Sequence, residues 1–185
     1  MNCQELTDQI EEYKPYNEQE EKDKRLILDW IRNNENAFSR ENAVAHMTAS
    51  AWVVNRERTK VLMVYHNIYN SWSWLGGHAD GEKDLLSVAV REVKEEAGLN
   101  VKAIRVIAIQ DRNLHNIPPY AYNVCKVFVL CEIESGSFRP NIETDESAYF
   151  GLEELPIPAK EKNNEEQIKM CFSAYYDRNW QVLFD

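Results

Sequence analysis

Long apolar segments, clustered basic residues and metal-type cysteine spacings are all missing from this sequence. No run of ~18 apolar residues occurs, so no membrane span is predicted. Lys and Arg total 21 against 31 Asp and Glu, giving a net charge of −10, which argues against binding a nucleic acid polymer through its phosphates. Cys3, Cys125, Cys131 and Cys171 show no metal-ligand spacing. With a start that lacks a secretory signal, they favour a reduced, cytoplasmic setting.

The 185 residues are enough for one domain with a short extension. Residues 1–45 form a polar, acidic lead, and residues 46–185 form the predicted main domain. Within the lead, Leu26, Ile27, Trp30 and Ile31 give one apolar face, which predicts a helix from about residue 17 to 34. We expect this helix to pack on the main domain. Two alternatives stay open, namely a homodimer element and a lid over a substrate.

The main domain alternates between strand-like and helix-like patterns. Predicted strands cover 46–55 and 60–66, which form a hairpin, and 101–110, 121–133 and 147–150. Predicted helices cover about 85–97 and 163–178, with a helical turn at 152–155. Asp84 and Gly98 are the capping candidates of the first helix, and its apolar stripe consists of Leu86, Ala89, Val93 and Ala97. Strands mixed with helices predict an α/β fold, in which a mixed sheet is covered on both faces.

The segment from Gly76 to Leu99 places three carboxylates on one face of a short helix. Glu92, Glu95 and Glu96 stand at i, i+3 and i+4, so their side chains are neighbours. Each like-charge pair costs roughly 0.2–0.5 kcal/mol, and acidic groups near a helix C-terminus also oppose the helix dipole. A solvated acidic face is one interpretation. The alternative is a hard divalent cation such as Mg²⁺, which takes oxygen ligands and cancels the repulsion.

The same segment resembles the signature of the Nudix hydrolases, G-x5-E-x7-R-E-U-x-E-E-x-G-U, where U is apolar. Counted from Gly77, the pattern is met at Arg91, Glu92, Val93, Glu95, Glu96, Gly98 and Leu99. The resemblance implies an α/β/α sandwich and a Mg²⁺- or Mn²⁺-dependent pyrophosphohydrolase. Such an enzyme cleaves a nucleoside diphosphate linked to another moiety, by attack of water on phosphorus.

The resemblance also assigns roles to individual residues. Glu95 and Glu96 correspond to metal ligands, and Glu92 to a further ligand or to the base that deprotonates the attacking water. Arg91 corresponds to a residue that fixes the orientation of the carboxylates, although an ordinary surface ion pair with Glu95 is the alternative. Gly76 corresponds to a residue whose carbonyl binds the metal.

Four further residues are candidate substrate contacts. His78 lies in the loop beside the glycine pair, where it could touch phosphate, and Trp74 could stack on a base. Glu143 and Glu146 precede a short strand and could supply an acidic group from across the site. The competing interpretations are core packing for the tryptophan and solvated loop acids for the two glutamates.

One position departs from the signature, because Lys83 stands where the first glutamate is expected. Asp80, Glu82 and Asp84 are close enough in sequence to supply a carboxylate from a shifted loop. The departure predicts reduced activity and motivates a rival hypothesis, in which the chain binds a nucleotide or ADP-ribose without hydrolysing it. An isopentenyl diphosphate isomerase shares the fold, but no cysteine is placed for that reaction near the glycine pair.

Overall fold

The computed structural model describes residues 3–57, 59–177 and 179–185. Its helices are α1 (Cys3–Glu12), α2 (Glu18–Asn33), α3 (Leu85–Ala97), α4 (Arg112–His115) and α5 (Glu165–Tyr176), with a 3-10 turn at Leu152–Glu154. Its strands are β1 (Ala45–Val54), β2 (Val61–His66), β3 (Ser71–Ser73), β4 (Leu75–His78), β5 (Leu99–Asp111), β6 (Asn123–Gly136), β7 (Thr144–Phe150) and β8 (Leu183–Phe184).

The strands form one mixed sheet in the order β3-β2-β1-β6-β5-β8, with β4 also paired to β1 and β7 to β2. The central strands β1 and β6 are parallel along their whole contact, from Ala45 opposite Asn123 to Val54 opposite Glu132. Strands β5 and β6 are antiparallel. The predicted mixed sheet is therefore confirmed.

Strand β1 shows how the sheet separates two apolar layers. Ala49, Ala51 and Val53 belong to the core cluster that also contains buried residues of α1, α2 and α3. Trp52 and Val54, on the opposite face, belong to the cluster that contains buried residues of α5. Because side chains alternate across a strand, one apolar run serves both layers. The α/β/α sandwich predicted from the resemblance is confirmed.

The predicted hairpin of β1 and β2 is only partly correct. The two strands pair at Val54 and Val61, beside the turn. Beyond this point the two strands separate, because β1 pairs with β4 while β2 pairs with β3 and β7. The chain changes partner between Ser73 and Leu75, and this crossing brings the glycine pair next to the middle of β1.

The N-terminal lead packs on the sheet, as expected for its helix. Helix α2 agrees with the predicted span, whereas α1 was not predicted. Leu6 and Ile10 of α1 are at most 2% exposed and join the core, and the ring of Tyr13 lies 4.3 Å from that of Phe184. The division at residue 45 stays a prediction. None of the described helices is long and apolar enough to cross a membrane.

Candidate active site

Helix α3 carries the acidic cluster, and its two ends are fixed by capping. The Asp84 side chain accepts hydrogen bonds from the amides of Leu86 and Ser87. At the other end, Gly98 adopts a left-handed φ of 70° and its amide donates to the carbonyl of Lys94. The carboxylates therefore sit on a helix whose start and end are set by its own sequence.

A cleft of about 570 Å³ runs along this helix beside the glycine pair. Its lining includes the glycine pair and the three carboxylates of α3: Gly76, Gly77, Glu92, Glu95 and Glu96. Residues from β1, β2, β6 and the loop before α5 complete the walls. The predicted site residues on α3 and β4 are thus brought together at one concave surface.

Glu96 is the most deeply buried of these acids, at 2% exposure. One of its oxygens accepts from the Gly76 amide at 2.8 Å, and the other from the Lys162 ammonium at 2.8 Å. The Nε2 atom of His66 lies 3.5 Å from that second oxygen. Burial alone would raise the pKa of Glu96, but the ammonium and these hydrogen bonds outweigh it and lower the pKa. Glu96 is therefore held ionised inside the protein.

Glu92 has the opposite electrostatic character. Its burial raises the pKa and the charge of Glu96 adds to this, although the Arg91 guanidinium acts in the other direction. The Arg91 Nη2 atom donates to Glu92 at 2.9 Å. A carboxyl with a raised pKa is better suited to accept a proton near neutral pH.

Gly77 is a close neighbour of this glutamate. A Cβ atom at position 77 would lie 2.3 Å from Glu92 Oε2. A side chain at position 77 would therefore displace the Glu92 carboxylate from its observed position.

Arg91 links the helix to the loop that follows β4. Besides Glu92, it donates to the carbonyl oxygen of His78 at 3.0 Å. Its Nε atom lies 4.0 Å from Glu95, which is 64% exposed along its side chain. The closer contact is therefore with Glu92, rather than with the i+4 partner considered from sequence. Glu95 remains accessible at the cleft surface.

The loop before β7 supplies one acid to the cleft. Glu143 lines it, and ligand atoms of His66, Glu96 and Glu143 all lie within 4.8 Å of one another. Asn141 places this loop by donating to the carbonyls of Glu95 and Glu96. Glu146, in contrast, is exposed in β7 and is not part of the cleft lining.

His78 and Trp74 lie in different environments. His78 lines the cleft, and burial, reinforced by the nearby Arg40, lowers its pKa to about 4. It is therefore neutral at physiological pH. Trp74 is 1% exposed and packs edge-to-face against Trp52 and Phe128. The structure thus places Trp74 in the core and outside the cleft lining, so core packing accounts for it.

Several cleft residues were not singled out from sequence. His66, Arg112, Lys126 and Lys162 all line the cleft. Lys126 carried a usable signal, since it is the single charge within the apolar run VCKVFVLC at residues 124–131 of β6. The position of Lys162, in the loop before α5, depends on tertiary contacts and has no local pattern.

A family model for the NUDIX domain matches residues 44–171 of this chain. The chain belongs to the Nudix family. An ADP-ribose pyrophosphatase from Streptococcus suis has a crystal structure with a TM-score of 0.67 and 38% identity, covering 75% of this chain and 98% of that protein. The structure of a UDP-X diphosphatase is 19% identical with a TM-score of 0.68, covering 98% of this chain and 95% of the other. At that identity the likeness shows the fold alone.

Curated relatives of this Nudix protein are longer than the matched part. YjhB of Bacillus subtilis, named as a proposed ADP-ribose pyrophosphatase, is 29% identical over 126 residues, or 68% of this chain and 61% of that protein. The human nucleoside diphosphate-linked moiety X motif 6 is 25% identical over 146 residues, or 77% of this chain and 45% of that protein. The chain therefore spans about half to three fifths of these relatives.

The Nudix signature departs from its pattern at Lys83, which is exposed and outside the cleft lining. Of the three nearby acids, Asp84 caps α3, and Glu82 accepts from the Asp84 amide. Asp80 is the one that lines the cleft, where it pairs with Arg40. Its charge also acts on the Arg91 guanidinium. The shifted-loop carboxylate considered from sequence therefore has one candidate, Asp80.

The donor set fits the divalent cation that a Nudix site implies. Magnesium prefers oxygen ligands, and three carboxylates of α3 line one cleft with Glu143 across from them. Glu96 is ionised despite its burial, which leaves a buried negative charge that requires a cation. The Lys162 ammonium provides that positive charge here. A divalent ion at Glu96 would replace this contact.

Proposed function

We propose that this chain is a Mg²⁺- or Mn²⁺-dependent pyrophosphohydrolase that cleaves a nucleoside diphosphate linked to another moiety. The observation that carries the proposal is the buried, ionised Glu96 beside the raised-pKa Glu92 in one cleft. The substrate class is supported by the name of the 38% identical relative, an ADP-ribose pyrophosphatase. A cytoplasmic location and a homodimer stay predictions.

In this proposal, Glu95, Glu96 and the Gly76 carbonyl would hold the metal, with Glu92 as the proton acceptor. Such an ion lowers the pKa of water and neutralises phosphate charge. Glu92 takes the proton of the water that attacks phosphorus, because its pKa is raised by burial. Arg91 fixes the Glu92 carboxylate through a 2.9 Å hydrogen bond and ties it to the loop after β4. One phosphoric anhydride bond breaks, and two phosphate monoesters leave.

Hydrolysis of a substrate panel in H₂¹⁸O tests this proposal. The protein is incubated with Mg²⁺ and a panel of ADP-ribose, nucleoside diphosphate sugars and dinucleoside polyphosphates. The masses of the products are then measured by mass spectrometry. We expect one product to carry a single ¹⁸O atom, which also identifies the phosphorus that is attacked. Glu96→Gln should lose at least about 100-fold in kcat while keeping the wild-type circular dichroism spectrum. Turnover of Glu96→Gln at the wild-type rate would refute the assignment.

A matched pair of variants tests the acid from the far loop. Glu143→Gln removes a carboxylate that lines the cleft, whereas Glu146→Gln removes an exposed one outside its lining. The proposal expects a tenfold or larger loss for the first variant and less than a twofold change for the second. Equal effects would remove Glu143 from the site.

The rival function, binding without hydrolysis, is favoured by one observation, namely Lys83 in place of the signature glutamate. Calorimetric titration of the same panel separates the two functions. Tight binding of a panel member that is never turned over, with either Mg²⁺ or Mn²⁺, would favour the binding module.

A further inference from the structure

The wall of the cleft formed by α4 and β6 carries two buried cations that the proposed reaction has not used. Arg112 is 3% exposed and Lys126 is 5% exposed, and both line the cleft. Among the described residues, no carboxylate lies within 4.0 Å of either side chain; Glu161, an exposed acid, also lines this cleft. Buried charges without a counter-ion are costly. These two residues therefore need an explanation.

Arg112 is held rigidly but is left with an unused donor. Its Nη1 atom donates to the Pro118 carbonyl at 2.7 Å, and its guanidinium carbon lies 3.4 Å from the ring centroid of Tyr120. Its Nη2 atom is buried without any hydrogen-bond partner. A planar guanidinium fixed on an aromatic face is well suited to bind phosphate oxygens.

Lys126 is a second buried donor near it. Its ammonium donates to the Asn116 side chain at 3.2 Å and to the Lys162 carbonyl. The third N–H has no hydrogen-bond acceptor within the described part of the chain, although the rings of Trp74 and Phe128 lie 5.2 and 5.4 Å from the ammonium. Burial, reinforced by the positive charges of Arg112 and Lys162, lowers the pKa of Lys126 to about 7. The three cations therefore repel one another, and an anion between them would relieve that repulsion.

Lys162 connects this wall to the acidic cluster. Its carbonyl contacts Lys126, and its ammonium contacts Glu96 at 2.8 Å. The buried cations and the buried carboxylate are thus separated by the length of one lysine residue. A diphosphate has two adjacent phosphoryl groups. One of them can therefore lie at the buried cations while the other lies at the acidic cluster.

We propose that Arg112 and Lys126 form an anion subsite. It binds one of the two phosphoryl groups of a nucleoside diphosphate substrate, the one farther from the carboxylate cluster. This inference rests on the proposed function for the identity of the substrate. Arg112 contributes the unpaired Nη2–H and Lys126 its remaining N–H. The subsite selects substrates with two adjacent phosphates over monophosphates.

The first experiment uses no turnover and no metal. Inorganic pyrophosphate and, separately, inorganic phosphate are titrated into the protein in resin-treated, metal-free buffer, and binding is followed by the shift in thermal midpoint. We expect saturable binding of pyrophosphate, at least about tenfold weaker in Arg112→Gln. Arg112→Lys should recover part of the affinity. Arg25→Gln is the matched control, because Arg25 lies outside the cleft and is paired with Glu21 on the exposed face of α2. It should bind within twofold of wild type.

The second experiment measures KM and kcat with a substrate found in the panel. Arg112→Gln should raise KM at least tenfold with a smaller change in kcat. Lys126→Met, which keeps the side-chain volume, provides an independent variant should Arg112→Gln fail to fold. Pyrophosphate affinity within twofold of wild type in Arg112→Gln or Lys126→Met would overturn the subsite, as would binding of phosphate as tight as pyrophosphate.

The two proposals fail separately. Pyrophosphate binding that requires Arg112, without turnover of any panel member, would keep the subsite and refute the hydrolase. Turnover that requires Glu96, together with unchanged pyrophosphate binding in the Arg112 variants, would keep the hydrolase and refute the subsite.

Discussion

Removing the ammonium of Lys162 is the sharpest perturbation of the candidate metal site. The Lys162→Met variant leaves the buried Glu96 carboxylate, which is 2% exposed, without its cation. Breaking a buried ion pair costs about 3–5 kcal/mol. The Gly76 amide still donates to Glu96 at 2.8 Å, so we expect the lower end, about 3 kcal/mol. For a chain of this size that corresponds to a fall in Tm of roughly 6–12 °C.

Magnesium should reverse this loss selectively. An ion that binds only the folded protein stabilises it by about 2.7 kcal/mol at a concentration of 100 times Kd. In wild type the ion must replace Lys162 at Glu96, whereas in Lys162→Met the carboxylate has no competing ammonium. The variant should therefore gain more in Tm from Mg²⁺ than wild type gains. Differential scanning calorimetry in resin-treated buffer, with and without Mg²⁺, measures both numbers.

Lys169→Met is the matched control for this prediction. Lys169 pairs with Glu165 on the surface of α5, where the two side chains are 55% and 65% exposed. Exposed pairs contribute little to stability, so this variant should melt close to wild type and respond to Mg²⁺ as wild type does. An equal fall in Tm in Lys162→Met and Lys169→Met would refute the reasoning. A gain in Tm from Mg²⁺ in Lys162→Met no larger than that of wild type would also refute it.

Two more predictions concern the glycine pair and pH. Gly77→Ala should lower kcat at least tenfold, because its Cβ would lie 2.3 Å from Glu92 Oε2. Gly151→Ala is the control, since the nearest atom to its Cβ would be 3.8 Å away, and it should change kcat less than twofold. Acidification from about pH 6.5 to about pH 4 should lower the free energy of unfolding by up to ~2 kcal/mol, a figure that is discounted for the partial exposure of His78. The reason is that His78 is protonated at a higher pH in the unfolded chain than in the folded one. Urea unfolding at several pH values measures this, and His78→Asn should show a shallower decline.

The sequence predicted α3 well because its signals are local. Asp84 and Gly98 are the capping residues expected from their types, and both cap the helix in the structure. The apolar stripe between them needs only the helical period to be recognised. The same local logic placed α2 within a residue of its observed ends and identified Glu92, Glu95 and Glu96 as neighbours on one face.

Features that depend on distant partners were missed or misplaced. Helix α1 offers few apolar residues, and its core contact comes from packing on the sheet and on α2. The predicted hairpin of β1 and β2 was too long, because β4 pairs with most of the β1 edge that the hairpin would have used. This pairing depends on Gly76, where a Cβ would lie 2.4 Å from the Ala49 carbonyl oxygen. Sequence spacing carries no information on such a close approach between separate strands.

The charge balance of the site shows the same division between local and distant information. A net charge of −10 predicts that bound cations must mask the repulsion between this chain and an anionic substrate. The fold adds a contribution that composition conceals, since Arg112, Lys126 and Lys162 come from three separate elements to line the same cleft as the acids. Positive charge at the site thus has a source within the protein as well as in the proposed metal. Loss of the metal should therefore weaken pyrophosphate binding but not abolish it, whereas loss of Arg112 should weaken it whether or not the metal is present.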